Sequence, residues 1–536
     1  MNGRKRRKGR KRFSAFSAVS ALTALACGNE PAEPPPGNPP PERPSLAQTY
    51  RPSGRMAAGD VSVHLFEWKW TDIATECENV LGPAGVAAVQ VSPPQEHSLE
   101  PPDYPWSQRY QPVSYSVERS RSGTDIEFVD MVERCGAAGV GIIVDAVVNH
   151  MTNFPSPGVG SNGTAYSKYE YPGLYTAADF HSPCLVSNYQ DAANVQDCEL
   201  LSLPDLNTGL ASVRQKIGAY LVFLARIGVA GFRIDAAKHI QQVELDDIVS
   251  RMNRRLEAER WPLPYLFLEV IGGAGEALSP RDSFGVGYSS GGAADITEFT
   301  FVGVGDKVRG TGGQFLAQLN PDGPPGSRFS EAAWGLMPSD KAVVFLQNHD
   351  TQHSCGLSYR DGDVFRLANV WMLAQPYGFP SILSSYAFTC PAQNFMGPPS
   401  DAGGNTSEVV CASSLESAQV GDWVCEHRDR YLLRMVAFRR VVAGTAITHW
   451  WDNGANAIAF SRGDRGFVAL NRESATLDAT VITGLAPGLY CDRLTGGLVQ
   501  GACAGVAVVV QADGSVDLLL ASGTAIAIDV ETAIID

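Results

Sequence analysis

Charge is scarce in this chain of 536 residues: 18% of positions are Asp, Glu, Lys or Arg, against about 25% in an average globular protein. With 44% hydrophobic residues, that excludes a disordered protein or a coiled coil. Basic residues are outnumbered 42 to 57, and eight of them lie in the first 26 positions, where there is no Asp or Glu. The rest of the chain holds 34 basic against 57 acidic residues, a net −23. Such a balance argues against a nucleic-acid or phosphate surface and for a neutral or cationic ligand. There is no Cys-x-x-Cys spacing to suggest a zinc site, no internal repeat, and no apolar run of the roughly 20 residues a membrane-spanning helix needs. What is present is length, enough for several domains or one large barrel with additions. There are also eleven cysteines, an odd number, ten of them beyond position 70, as expected in an oxidising compartment.

Residues 1–26 read as a signal peptide, with a basic stretch over 4–12 and an apolar one over 13–26, too short to span a bilayer. It ends in Leu22-Thr23-Ala24-Leu25-Ala26-Cys27, small residues leading into a cysteine. Cys27 is therefore either the lipidation site of a cell-surface lipoprotein or part of an ordinary secretory leader. Residues 27–55 are a linker, rich in Pro, Glu and Gly over 31–44, which forms an extended spacer. The folded part is expected from Met56.

From there β-branched runs alternate with helical stretches. Strands are expected at 61–66, 86–91, 140–145, 229–234, 266–270, 343–346 and 381–383, and helices at 72–81, 125–138, 212–227, 243–260 and 364–375. Val140-Gly141-Ile142-Ile143-Val144-Asp145 has too few polar positions for a half-exposed strand, which fits a buried parallel sheet. About eight such units predict a closed (β/α)8 TIM barrel over residues 56–150 and 211–445. The Gly-, Pro-, Ser-, Asn- and Tyr-rich residues 151–210 break the rhythm after the third strand and read as an inserted loop-rich domain. Short runs separated by turns over 446–536 read as a C-terminal antiparallel β-sandwich domain.

In a barrel enzyme the site forms where strands end at their carboxyl termini. Four such ends are polar: Asp145-Ala-Val-Val-Asn149-His150, Gly231-Phe-Arg233-Ile-Asp235-Ala-Ala-Lys238-His239, Phe267-Leu-Glu269-Val270, and Phe345-Leu-Gln-Asn348-His349-Asp350. One carboxylate closing a strand is usually a helix cap or half of an ion pair. Three converging with histidines and no cysteine point to acid/base and nucleophilic chemistry.

These four segments resemble the conserved regions of the α-amylase family, glycoside hydrolase family 13. His64-Leu-Phe-Glu-Trp68, Val89-Gln-Val-Ser-Pro-Pro94, Arg109-Tyr-Gln-Pro-Val-Ser-Tyr115 and Val424-Cys-Glu-His427 narrow the resemblance to the animal-type members and their bacterial relatives, from about residue 60 to the end. The resemblance implies endo-hydrolysis of α-1,4-glucosidic bonds in starch and glycogen with retention of configuration. It assigns Asp235 as nucleophile, Glu269 as general acid/base and Asp350 as the third carboxylate. Arg233 would keep Asp235 ionised, His150 and His349 would bind sugar hydroxyls, and Lys238 and His239 would line the leaving-group side. Trp106, Tyr110 and Tyr189 match sugar-stacking positions, but the second tryptophan that commonly adjoins the first is Ser107 here. The rivals are a maltooligosaccharide-forming or transglycosylating member, an α-glucosidase, and an inactive glucan-binding surface protein.

The resemblance also implies a structural Ca²⁺, held by the side chains of Asn149 and Asp205 and the backbone carbonyls of Gln196 and His239. A chloride site is doubtful: Arg233 and Asn348 match two ligands, but the third, basic in animal members, is Ser381. The expected disulfides are Cys77–Cys135, Cys184–Cys198 and Cys491–Cys503, which follow the family, with Cys411–Cys425 and, from the remainder, Cys355–Cys390. Cys27 is then the odd thiol. The expected partner is an α-glucan and not nucleic acid, the expected state a monomer, and the place of action outside the cell.

Overall fold

The structure, a computed structural model, describes residues 56–284, 294–325 and 327–534; the leader, the linker and Cys27 lie outside the described residues. Eight parallel strands close into a barrel in which each is hydrogen-bonded to its chain-order neighbours and the last to the first. They are β1 (Ser62–Leu65), β2 (Ala88–Val91), β3 (Gly141–Ala146), β4 (Gly231–Ile234), β5 (Tyr265–Leu268), β6 (Asp295–Thr297), β7 (Ala342–Val344) and β8 (Phe379–Ser384). The alternation that puts every second residue on one face sets the character of the interior. Ala88, Ile143, Tyr265, Phe267, Val343 and Phe379 form one buried apolar cluster with Met56. Further along the strands the row turns polar, and His64 pairs with Gln90, and Asp145 with Arg233, across neighbouring strands.

Helices cover the outside. α1 (Trp70–Glu76) runs on through a wider turn, Cys77–Leu81, where the sequence predicts one continuous helix over 72–81. α2 (Asp125–Ala137) starts at a capping box between Thr124 and Glu127, which satisfies two orphan donors at once. α3 (Ala211–Ile227) ends at Gly228 with φ 114°, a left-handed stop that glycine takes without strain. α4 (Gln242–Ala258), α5 (Asp363–Ala374) and α6 (Arg430–Val441) continue the series.

Two expectations need correction. β6 escaped sequence reading because it is three residues long, Asp295–Thr297, with one large apolar side chain, Ile296. The segment expected as a strand over 343–346 ends at Val344, and Asp350 lies on the short helix His349–His353 that follows. All five expected disulfides form. Cys77–Cys135 joins the turn after α1 to α2 and closes 58 residues, worth about 4 kcal/mol by loop-closure entropy.

Beyond α6 lies an antiparallel β domain. A four-stranded sheet ordered Ile447–Asp452, Ala457–Arg462, Gly466–Asn471 and Thr524–Asp529 faces smaller sheets across a core that includes Phe467, Tyr490, Leu518 and Ile528.

Candidate active site

Arg233, the third residue of β4, organises the barrel mouth. Its Nη1 donates to Asp145 Oδ1 at 2.5 Å and to Asp235 Oδ1 at 2.8 Å, and its Nη2 lies 2.5 Å from Glu269 Oε1. Burial works against the guanidinium charge, but Asp145, Glu269 and Asp235 outweigh it and push the pKa up. Glu269 follows the end of β5, and its Oε2 accepts the Ala236 N–H at 2.9 Å. Ala236 has φ 49°, a left-handed conformation costing about 1–2 kcal/mol in a non-glycine residue. That strained residue turns the chain straight after Asp235, so that one short turn orients both carboxyl groups.

Burial is the largest influence on Glu269 and raises its pKa; Arg233 opposes that and Asp235 adds to it. Asp350 is also raised, by burial and then by the neighbouring Glu269 carboxylate. Asp145 is raised too, first by burial, and it accepts from the Tyr110 hydroxyl at 2.9 Å. Burial lowers the pKa of His64 to about 3 and of His150 to about 4, and holds His349 well below the usual imidazole range. The histidines of the mouth are therefore neutral near pH 7, able to donate or accept but not to add charge.

An aromatic wall borders these groups. Tyr110 stacks on His349 at 4.9 Å between ring centroids, and Trp106 stacks on His353 at 4.7 Å. His150 Nε2 lies 3.0 Å from the Tyr110 carbonyl oxygen. On the other side Lys238 Nζ donates to the Ile271 carbonyl at 2.7 Å, pairs with Glu276, and lies 4.8 Å from the Tyr189 ring centroid. Asp145, His353 and Glu276 received no role from the sequence. A signal existed for Asp145, which closes the apolar run of β3, and for His353, one helical turn after His349; Glu276 sits in a loop without pattern.

Of the residues expected around a cation, Asn149 and Asp205 meet side by side, and the segments of Gln196 and His239 meet each other. Asn149 Nδ2 lies 3.3 Å from Asp205 Oδ1. His239 Nδ1 contacts the Val195 carbonyl at 2.8 Å, and Gln196 Nε2 donates to the Ile240 carbonyl at 3.3 Å, so the segments of Gln196 and His239 adjoin. Burial pushes the Asp205 carboxyl up to about 7 although His181, at 2.7 Å, lowers it. A buried carboxylate beside a side-chain amide suits a hard divalent cation; His181 is the contact the sequence did not disclose.

Arg233, Asn348 and Ser381 line one cavity of about 20 Å³ with His64 and Gln347, space for one small species. Asn348 Oδ1 is engaged by the Thr351 N–H at 2.8 Å, and the only cation lining the cavity, Arg233, is already shared among three carboxylates.

A closed parallel barrel with buried carboxyl groups around one arginine at its carboxyl mouth defines a glycoside hydrolase scaffold. The description "Alpha amylase, catalytic domain" matches residues 85–259, and "Alpha amylase, C-terminal all-beta domain" matches residues 449–531. An α-amylase of Tenebrio molitor is 42% identical over 468 residues, 86% of this chain and 94% of that protein. Pancreatic alpha-amylase 2a5 of Mus musculus is 41% identical over 478 residues, 84% of this chain and 90% of that one. The crystal structure of alpha-amylase I from Eisenia fetida superposes with a TM-score of 0.79 at 36% identity, covering 88% of this chain and 97% of its own; a mutant of that enzyme is known in complex with maltohexaose. The chain belongs to the α-amylase family, glycoside hydrolase family 13.

Proposed function

We propose that the protein is an exported α-amylase that cleaves internal α-1,4 bonds of starch and glycogen with retention of configuration. Asp235 attacks the anomeric carbon while Glu269 gives its proton to the departing oxygen, so one C–O bond forms as another breaks. Glu269, now ionised, takes a proton from water, which displaces Asp235 from the glycosyl intermediate. Asp350, His150 and His349 grip the hydroxyls of the sugar at the cleavage point, and Trp106 and Tyr110 supply its apolar contact, with Tyr189, Lys238 and His239 on the leaving-group side.

The observation that carries this reading is the single guanidinium within 2.8 Å of Asp235 and 2.5 Å of Glu269. It fits the spacing of about 5 Å between carboxyl groups that a retaining mechanism uses. Soluble starch should give mixed maltooligosaccharides at early times, with the α-anomer forming first by proton NMR. First-formed β-anomer, glucose as the sole early product, or no hydrolysis would overturn it.

Asn149, Asp205 and the carbonyls of Gln196 and His239 would hold Ca²⁺, tying the inserted segment to the barrel. The ion would offset the cost of burying Asp205. Exhaustive chelation should lower the melting temperature by roughly 5 °C or more; an unchanged value removes the site. Chloride is not required: the shared charge of Arg233 and the neutral Ser381 leave too little attraction for an anion. Adding chloride to halide-free enzyme should change the rate less than about two-fold, whereas a several-fold rise would restore an anion site. Cys27, the one cysteine outside the five disulfides, is the attachment point of a lipid tether, with the Pro-rich segment as spacer.

A further inference from the structure

Strand β6, the short strand without an apolar pattern, ends at Thr297 beside Glu269. Regular pairing between β5 and β6 reaches Ile296 opposite Leu268. Past that point the link is carried by a side chain: Thr297 Oγ1 accepts the Val270 N–H at 3.1 Å and donates to the Leu268 carbonyl at 3.2 Å. A hydroxyl has one proton to give and lone pairs to receive, so a single oxygen engages the backbone on both sides of Glu269. Thr297 is 5% exposed, and away from water such bonds are electrostatically stronger.

The other edge of Glu269 is fixed by β4. Its N–H donates to the Ile234 carbonyl at 3.0 Å, and its carboxyl group accepts from Ala236 and meets Arg233. Without the Thr297 hydroxyl, the peptides flanking Glu269 lose this hold on the β6 side. A small rotation of either peptide swings the side chain, whose carboxyl group must stand within hydrogen-bond reach of the departing oxygen. Misplacement by about 1 Å can cost on the order of 10²-fold in rate.

We propose that Thr297 is a positioning residue for the acid/base: its hydroxyl brackets the peptides on either side of Glu269 and aims the carboxyl group at the oxygen of the bond being cleaved. The inference rests on the role of Glu269 given above and deepens it. Thr297 gives no proton to the substrate, so its effect is confined to steps in which Glu269 moves one. Cleavage of a glucosidic bond needs that proton, because a sugar alkoxide is a poor leaving group. A glycosyl fluoride does not, because fluoride departs as a stable anion. Loss of the hydroxyl therefore slows the first kind of substrate and spares the second.

The test uses the full chain and compares kcat/KM for maltoheptaose with kcat/KM for α-maltosyl fluoride, each of which reports the bond-breaking half of the reaction. Thr297→Val keeps the shape and removes the hydroxyl, Thr297→Ser keeps the hydroxyl, and Glu269→Gln marks full loss of the acid. Thr297→Val should lower the maltoheptaose value about ten-fold and leave the fluoride value within about two-fold of wild type. Thr297→Ser should stay within about two-fold of wild type on both. Equal loss on both substrates, no loss on either, or Thr297→Ser as slow on maltoheptaose as Thr297→Val overturns the inference. Should Thr297→Val not fold, Thr297→Ala is read by the same comparison; if neither folds, the hydroxyl serves stability and the inference falls. Glu269→Gln separates the two readings. A loss on maltoheptaose alone sustains the acid role whatever Thr297 does, while equal loss on both substrates removes that role and the inference with it.

Discussion

Asp235→Asn is expected to reduce starch hydrolysis by at least about 10⁴-fold, the scale on which removal of a covalent nucleophile acts. The amide keeps the shape of the carboxylate and can still accept from Arg233 Nη1, 2.8 Å away in the native enzyme. It cannot form a glycosyl ester that water then cleaves. The fold should be unaffected, because Asp145 and Glu269 still hold the guanidinium. A melting temperature near that of wild type with starch hydrolysis lost is the expected pair of results. Retention of more than about 1% of wild-type activity would remove Asp235 from the nucleophile's position.

Glu269→Gln should cost about 10² to 10⁴-fold, the range for general acid–base catalysis, and should also change the shape of the pH profile. An acid works only while it carries its proton. Burial raises the pKa of Glu269, so the protonated form persists to higher pH than for an exposed carboxyl, and activity falls once pH rises through that value. Asp350 is raised as well, and two coupled carboxyl groups titrate as a pair. The alkaline limb of wild-type kcat/KM therefore reports the pair. Glutamine has no proton to lose, so the residual activity of the variant should show that limb displaced or flattened. An unchanged alkaline limb in Glu269→Gln would place the controlling acid elsewhere.

Glu269 and Asp235 are held by different contacts. Glu269 takes one backbone N–H, from Ala236, and shares Arg233 at its Nη2. Asp235 shares the same guanidinium at Nη1 with Asp145. One buried cation thus fixes both carboxyl groups relative to each other. Tyr110 ties the arrangement to the aromatic wall through Asp145, which gives its hydroxyl a share in holding the charge cluster.

The sequence by itself determined the alternation of apolar runs and amphipathic stretches that makes a parallel barrel. It also determined the polar ends of those runs, where Asp145, Arg233, Asp235 and Glu269 stand, because both are local patterns of spacing and hydrophobicity. Three of the disulfides followed from the family resemblance, with Cys355–Cys390 left as the remainder, and all five pairs form. The rest depended on proximity between residues far apart in the chain, which linear spacing does not record. Asp145 meets Arg233 across 88 positions, and Trp106 meets Asn394 across 288. Only the closed barrel showed that Asp295–Thr297 is a strand, since its hydrogen bonds come from its neighbours and not from an apolar pattern of its own. Only packing placed His181 on Asp205 and engaged Lys238 with Glu276. A side chain's type is written in the chain, but its partners are decided by which loops the barrel holds side by side.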